Sequence, residues 1–192
     1  MMRRLALCGL TLALAGCSSA PDRFYTLMPD FRSGPRPAAT TTVERVVVVG
    51  PVTVPAALNQ AQMVVSRGGQ QMDVREAERW SAPLKEEFTA ALAARLETLL
   101  PQLAVAVHHQ SAGLDAELRI QVDVSRFELG PGRQTTLDAL WVIKGGDPVA
   151  ERRGRTRLAV PAGGDGYEQL VQAQGRALDQ LAQALAAAVM AH

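Results

Sequence analysis

Glu117-Leu118-Arg119-Ile120-Gln121-Val122-Asp123-Val124 sets a charged or amide side chain against an aliphatic one at every step. A period of two is the mark of a half-buried strand, because successive side chains point to opposite faces of a sheet. Beyond Ser125 the apolar phase slips to the odd positions Phe127 and Leu129. A bulge near Ser125 is the simplest way to keep both on the buried face. Gly130-Pro131-Gly132 then turns the chain into a strand through Leu137, Ala139, Trp141 and Ile143, and Gly145-Gly146 turns it again into Val149 to Val160. The result is a three-strand meander with one polar face, and its other face needs an apolar cover.

Two helices supply that cover. Leu84, Phe88, Leu92, Leu96 and Leu99 recur at helical spacing behind Ser81, read as the N-cap, with Pro83 in the first turn and Pro101 as the stop. Near the C-terminus, Tyr167, Leu170, Val171, Leu178, Leu181, Leu185 and Val189 mark a second apolar stripe, and Asp165 stands three residues before Glu168 in capping-box spacing. Upstream, Phe24, Tyr25, Leu27 and Met28 read as a first strand. The β-branched run Val43 to Val54 reads as a buried strand, bent or bulged at Gly50-Pro51. Gln62 to Arg67 and Gln71 to Arg75 flank Gly68-Gly69, a hairpin turn that needs positive φ. Leu103, Val105 and Val107 alternate as one more strand. The expected fold class is α+β: a mostly antiparallel sheet with two amphipathic helices packed on one face, a two-layer sandwich whose strand order the pattern leaves open.

At the N-terminus, Arg3 and Arg4 precede an apolar run from Leu5 that closes on Leu14-Ala15-Gly16-Cys17. The run is too short for a membrane span of about 20 residues and matches a lipoprotein signal with its lipobox. Residues 1–16 are therefore expected to be cleaved as a signal peptide. Cys17 would carry diacylglycerol on sulfur and an N-acyl chain such as palmitate, with residues 17–22 as a lipidated tether. Residues 23–192 form one periplasmic domain with a flexible connector near 29–42. More than one acyl chain makes the anchor stable, at about 0.8 kcal/mol per buried methylene. Cys8 leaves with the signal, so no intrachain disulfide is expected. Arg3 and Arg4 are two of the 20 basic residues; without them 18 stand against 19 acidic ones, a balance of −1 that offers nucleic acid no attracting field.

No metalloprotease, phosphate-loop, nucleophile-elbow or paired-cysteine motif occurs, and acylation would remove the mature chain's one thiol. The expectation is a protein that is not an enzyme, with no catalytic, cofactor-binding or metal site and no cofactor beyond the lipid on Cys17. His108 and His109 are neighbours on a strand and point to opposite faces, and His192 is the last residue, so none makes a metal pair. Arg153, Arg155 and Arg157 alternate along one strand as a basic row about 7 Å apart. They are the candidate contact for lipid phosphates or an acidic partner, set against a solvated sheet face neutralised by residues such as Glu117 and Asp123. Trp80 and Trp141 read as core anchors. Ala182 to Ala191 reads equally as a close-packed interface or as plain helix propensity, and a homo-oligomer is compatible with it.

Phe24-Tyr25-Thr26-Leu27 after the lipobox, Val52-Thr53-Val54-Pro55 with Leu58, Arg79-Trp80-Ser81-Ala82-Pro83-Leu84 and Asp165-Gly166-Tyr167 together resemble the PqiC-like ABC-type transport auxiliary lipoproteins. The resemblance spans nearly the whole mature chain. It implies a periplasm-facing lipoprotein whose partners are ABC transporter components and an MCE-domain protein, with lipid carried between the two membranes. It implies no nucleotide site in this subunit and assigns no chemistry to Tyr25 or Trp80. Ser18 after the cysteine, in place of Asp, points by analogy to the outer membrane, whose lipids would hold the anchor. The rival expectation is a structural envelope lipoprotein that supports assembly without touching transported lipid.

Overall fold

A computed structural model of the chain describes residues 21–30, 45–108, 116–130, 133–145, 151–164 and 166–191. Cys17, most of the expected connector, His109, Gly146, Asp165 and His192 lie outside the described residues. The described residues form eight strands and two helices: β1 (Arg23–Tyr25), β2 (Val46–Thr53), β3 (Gln62–Gly68), β4 (Gln71–Trp80), α1 (Leu84–Leu99), β5 (Ala104–Val107), β6 (Leu118–Gly130), β7 (Gln134–Gly145), β8 (Arg152–Pro161) and α2 (Tyr167–Met190).

The alternating stretch became β6, the longest strand and the axis of the sheet. Leu118, Ile120, Val122 and Val124 are buried, and the register with β7 shifts between Val124 and Arg126, so Phe127 and Leu129 are buried as well. The bulge expected at Ser125 is there, and the Ser125 hydroxyl donates across it to the Asp138 carbonyl at 3.1 Å. On one side β6 pairs antiparallel with β7, which pairs antiparallel with β8, completing the meander. On its other side it is shared: β2 lies parallel along Leu118 to Asp123, and β3 touches Leu129 beyond the bulge.

That sharing corrects the expected strand directions. Four of the seven pairings among the described residues are parallel, namely β1 with β4, β2 with β5, β2 with β6 and β3 with β6. The sheet is mixed, not mostly antiparallel, although its longest ladders are antiparallel. Parallel neighbours need crossovers, and α1, which follows β4 in the chain, lies on the connection from β2 to its parallel neighbour β5. The two helices pack on each other and on the sheet, so the α+β class and the pair of helices stand. Phe88 of α1 meets Phe127 of β6 edge to face at 5.2 Å.

Several local expectations meet the structure differently. Gly68 and Gly69 do take φ of 96° and 61°, as the hairpin demands. The N-cap of α1, however, is Pro83, with no side-chain cap bond; the Ser81 hydroxyl is drawn instead to Glu87. Likewise Gly166 is the N-cap of α2, without a side-chain cap bond. Leu99 is 40% exposed, and Leu100, one residue past the helix, takes the buried place. The first strand is only three residues long, and Leu27 is buried outside it.

Candidate functional site

Register places the basic row first. Arg153, Arg155 and Arg157 pair with Val142, Leu140 and Asp138 of β7, while Gly154, Thr156 and Leu158 point the other way. The row therefore stands on the sheet face turned away from the core positions Leu137, Ala139 and Ile143. Its counterions are not Glu117 and Asp123. Arg155 donates to both Asp138 carboxylate oxygens at 2.7 and 2.6 Å, Arg157 adds a bond at 3.3 Å, and Arg153 pairs with Glu151 at 2.8 Å. The Arg155 hydrogen bond holds the Asp138 carboxyl below its ordinary range. Glu117 is taken by Arg45, which donates to it twice, at 2.6 and 2.5 Å. Leu140 sits among these ions half exposed.

Both tryptophans are structural, in different ways. Trp80 is fully inside the core. Trp141 is half-buried; its ring covers Gly154, where a Cβ would overlap it, and its N–H donates to the Thr156 hydroxyl at 3.1 Å. His108 lies against Gly50 and lines a shallow cavity of about 380 Å³ with Pro51, Val52, Lys85, Glu86 and Thr89. Its Nδ1 meets an Arg119 guanidinium nitrogen at 2.9 Å. Among the described residues no three His, Cys, Asp or Glu side chains gather as a metal site.

The densest polar constellation is one the sequence reading missed. Glu87 of α1 is 6% exposed and accepts from the Thr26 hydroxyl and the Leu27 N–H, both at 3.0 Å, and from the Ser81 hydroxyl. Two turns on, buried Arg95 donates to the Leu27 and Ala91 carbonyls at 2.9 and 3.0 Å and to Asp179 of α2 at 2.6 Å. Glu78 of β4 accepts from the Tyr25 hydroxyl at 2.7 Å and from Arg23 at 3.2 Å. Glu87, Ala91 and Arg95 share one helix face at spacing four, so charges interrupting the apolar stripe were the available signal. These bonds fasten residues 23–27 to β4 and α1, and Arg95 carries the link on to α2, beside a cleft of about 430 Å³ lined by Thr26 to Asp30, Arg95, Val171, Gln172, Gly175, Arg176 and Asp179. The ring of Tyr25 also faces that of Tyr167 at 6.5 Å.

The segments so joined are Phe24 to Leu27 and Trp80-Ser81, two of the stretches that carried the family resemblance. A family model, that of the ABC-type transport auxiliary lipoprotein component, matches residues 25–186. The chain belongs to this family. Two crystal structures share the auxiliary lipoprotein's fold. One, of an uncharacterized protein, gives a TM-score of 0.72 at 20% identity and covers 88% of this chain and 99% of its own. A DUF330 protein from Xanthomonas campestris gives 0.64 at 16% identity, with 85% and 92% covered. No curated protein matches the chain. In this auxiliary lipoprotein Tyr25 and Thr26 are fasteners: the Tyr25 hydroxyl ties β1 to Glu78 of β4, and the Thr26 hydroxyl ties the next residue to Glu87 near the start of α1.

The fastening has a pH signature. Burial first, and then the hydrogen bond and charge of Glu78, push the Tyr25 phenol up from 10.0 to about 12. A folded value above the unfolded one means that the contribution is whole below pH 10 and fades as the pH rises through about 12. Tyrosinate absorbance at high pH should therefore show a late phase that Tyr25→Phe abolishes. A late phase that persists in Tyr25→Phe would assign it elsewhere.

Proposed function

We propose that the chain is an outer-membrane-anchored, periplasm-facing subunit of an ABC/MCE-type system that moves lipid between membranes, docking the MCE-domain partner without catalysing a reaction. The observation that carries this is the family match over residues 25–186 behind a lipobox ending at Cys17. Ser18 supports the outer-membrane destination, and the fastened Tyr25 to Leu27 segment supports a body held close to its anchor. The Arg153, Arg155 and Arg157 face, with Leu140 at its centre, is the docking patch this reading favours, since it sets an exposed apolar side chain among arginines, a residue type enriched at interfaces.

Anchor and core are separate in the sequence, so Cys17→Ala should leave a protein with an unchanged melting curve that no longer pellets with membranes. Pelleting that survives a high-salt wash would remove lipid as the main anchor. In pull-downs the mature protein should retain the MCE-domain partner, and Arg155→Glu should weaken that by at least tenfold. Retention of envelope integrity with no MCE binding at all would favour the purely structural role instead.

A further inference from the structure

We infer that the β3–β4 hairpin tip is a membrane-contacting element, seated on the phospholipid surface that holds the anchor. The inference rests on the reading of Cys17 as lipidated. Its geometry comes from the parallel pairing of β1 with β4, in which Arg23 lies level with Glu78. Because the strands run the same way, the chain that precedes Arg23 enters from the end at which β4 begins, and that end is the hairpin turn at Gly68-Gly69. Six residues separate Cys17 from Arg23, a reach of at most about 20 Å. Six residues also separate Met72 from Glu78, about 20 Å of strand. Cys17 therefore cannot sit farther out than the level of Met72, and an upright body brings the tip to the bilayer. A body lying down on β1 and β4 brings the same hairpin to it.

The tip is composed for that surface. Met72 and Val74 are 40% and 47% exposed, and they share a face with Ser66 and Val64. Within residues 64–75 the charges are Arg67, Asp73 and Arg75, both arginines leaning on the one aspartate, which leaves a net positive charge to meet lipid phosphate. Apolar side chains ringed by arginine and glutamine suit the boundary between headgroups and acyl chains, which such elements enter by about 5–10 Å. The other exposed large apolar side chains among the described residues, Phe24, Met28, Leu99, Leu140 and Met190, lie away from the tip.

The test uses the full mature lipoprotein in phosphatidylethanolamine and phosphatidylglycerol vesicles containing lipids brominated on their acyl chains. With Cys17 acylated, Met72→Cys, Val74→Cys and Leu140→Cys each offer one thiol for a bimane label. Emission from positions 72 and 74 should fall at least twofold on brominated lipid, while emission from position 140 should not change. Intact mass reads the anchor separately: an unacylated Cys17 overturns both the anchor and this placement. An acylated chain whose labels at 72 and 74 stay bright overturns the placement alone. Labels that are blue-shifted yet unquenched would give the hairpin to a second protein chain, and that result also overturns it.

Discussion

Trp80→Ala should lower the unfolding free energy by about 3–5 kcal/mol, the usual cost of emptying a large aromatic site in a core. The side chain is 4% exposed at the last position of β4. Its backbone N–H donates to the Ala61 carbonyl at 2.7 Å, and the next residue, Ser81, donates to the Tyr25 carbonyl at 2.9 Å. The indole thus fills the corner where β1, β4 and the approach to α1 meet, and no neighbouring chain can collapse into its place without breaking one of those bonds. Urea denaturation followed by circular dichroism measures the loss. An unshifted midpoint with weakened partner binding would move Trp80 from the core to a binding surface.

The second large effect is expected at Glu87. Alanine there strands the Leu27 N–H, a buried donor, and takes their acceptor away from the Thr26 and Ser81 hydroxyls, a combination costing about 2–4 kcal/mol. Glu87→Gln keeps one carbonyl oxygen in place and should cost about half as much. The damage should be local at first: the Leu27 amide, slow to exchange in the native protein, should exchange much faster in Glu87→Ala than amides of β6 and β7. Uniform acceleration across the sheet, or no change at Leu27, would count against Glu87 as the fastener of this segment.

The parts of the fold that were legible are those governed by local period. The alternation of Leu118 to Val124 and its slip to Phe127 specify β6 and its bulge, because a one-residue error would expose the whole apolar set. Gly68-Gly69 specifies the hairpin turn through φ alone. Strand direction was not legible beyond the meander, since the pairing of Val47 with Leu118 leaves no mark on either segment. Ser81 carries the right side chain for a cap, yet the buried Glu87 carboxylate outbids the helix N-terminus for its hydroxyl. The candidate basic row was readable as a row, whereas its counterion was not: Asp138 lies 17 residues from Arg155 and meets it only through the β7–β8 register. Glu87 and Arg95 escaped notice because a charged residue on a helix is ordinarily solvated.

The sharing of β6 between two sets of strands also dictates an order of assembly. β6, β7 and β8 are neighbours in sequence and can zip together unaided, but β2 waits for a partner on the far side of α1: Arg45 and its ion-pair partner Glu117 are 72 residues apart. Until then Val46 to Val49 is an unpaired strand of four consecutive valines, the composition most prone to pair with a copy of itself. A chain delivered from its N-terminus exposes that strand before either of its partners, β5 and β6, has been made. A fragment ending before β5 should accordingly aggregate, while one carrying β6 to β8 without β2 should stay dispersed.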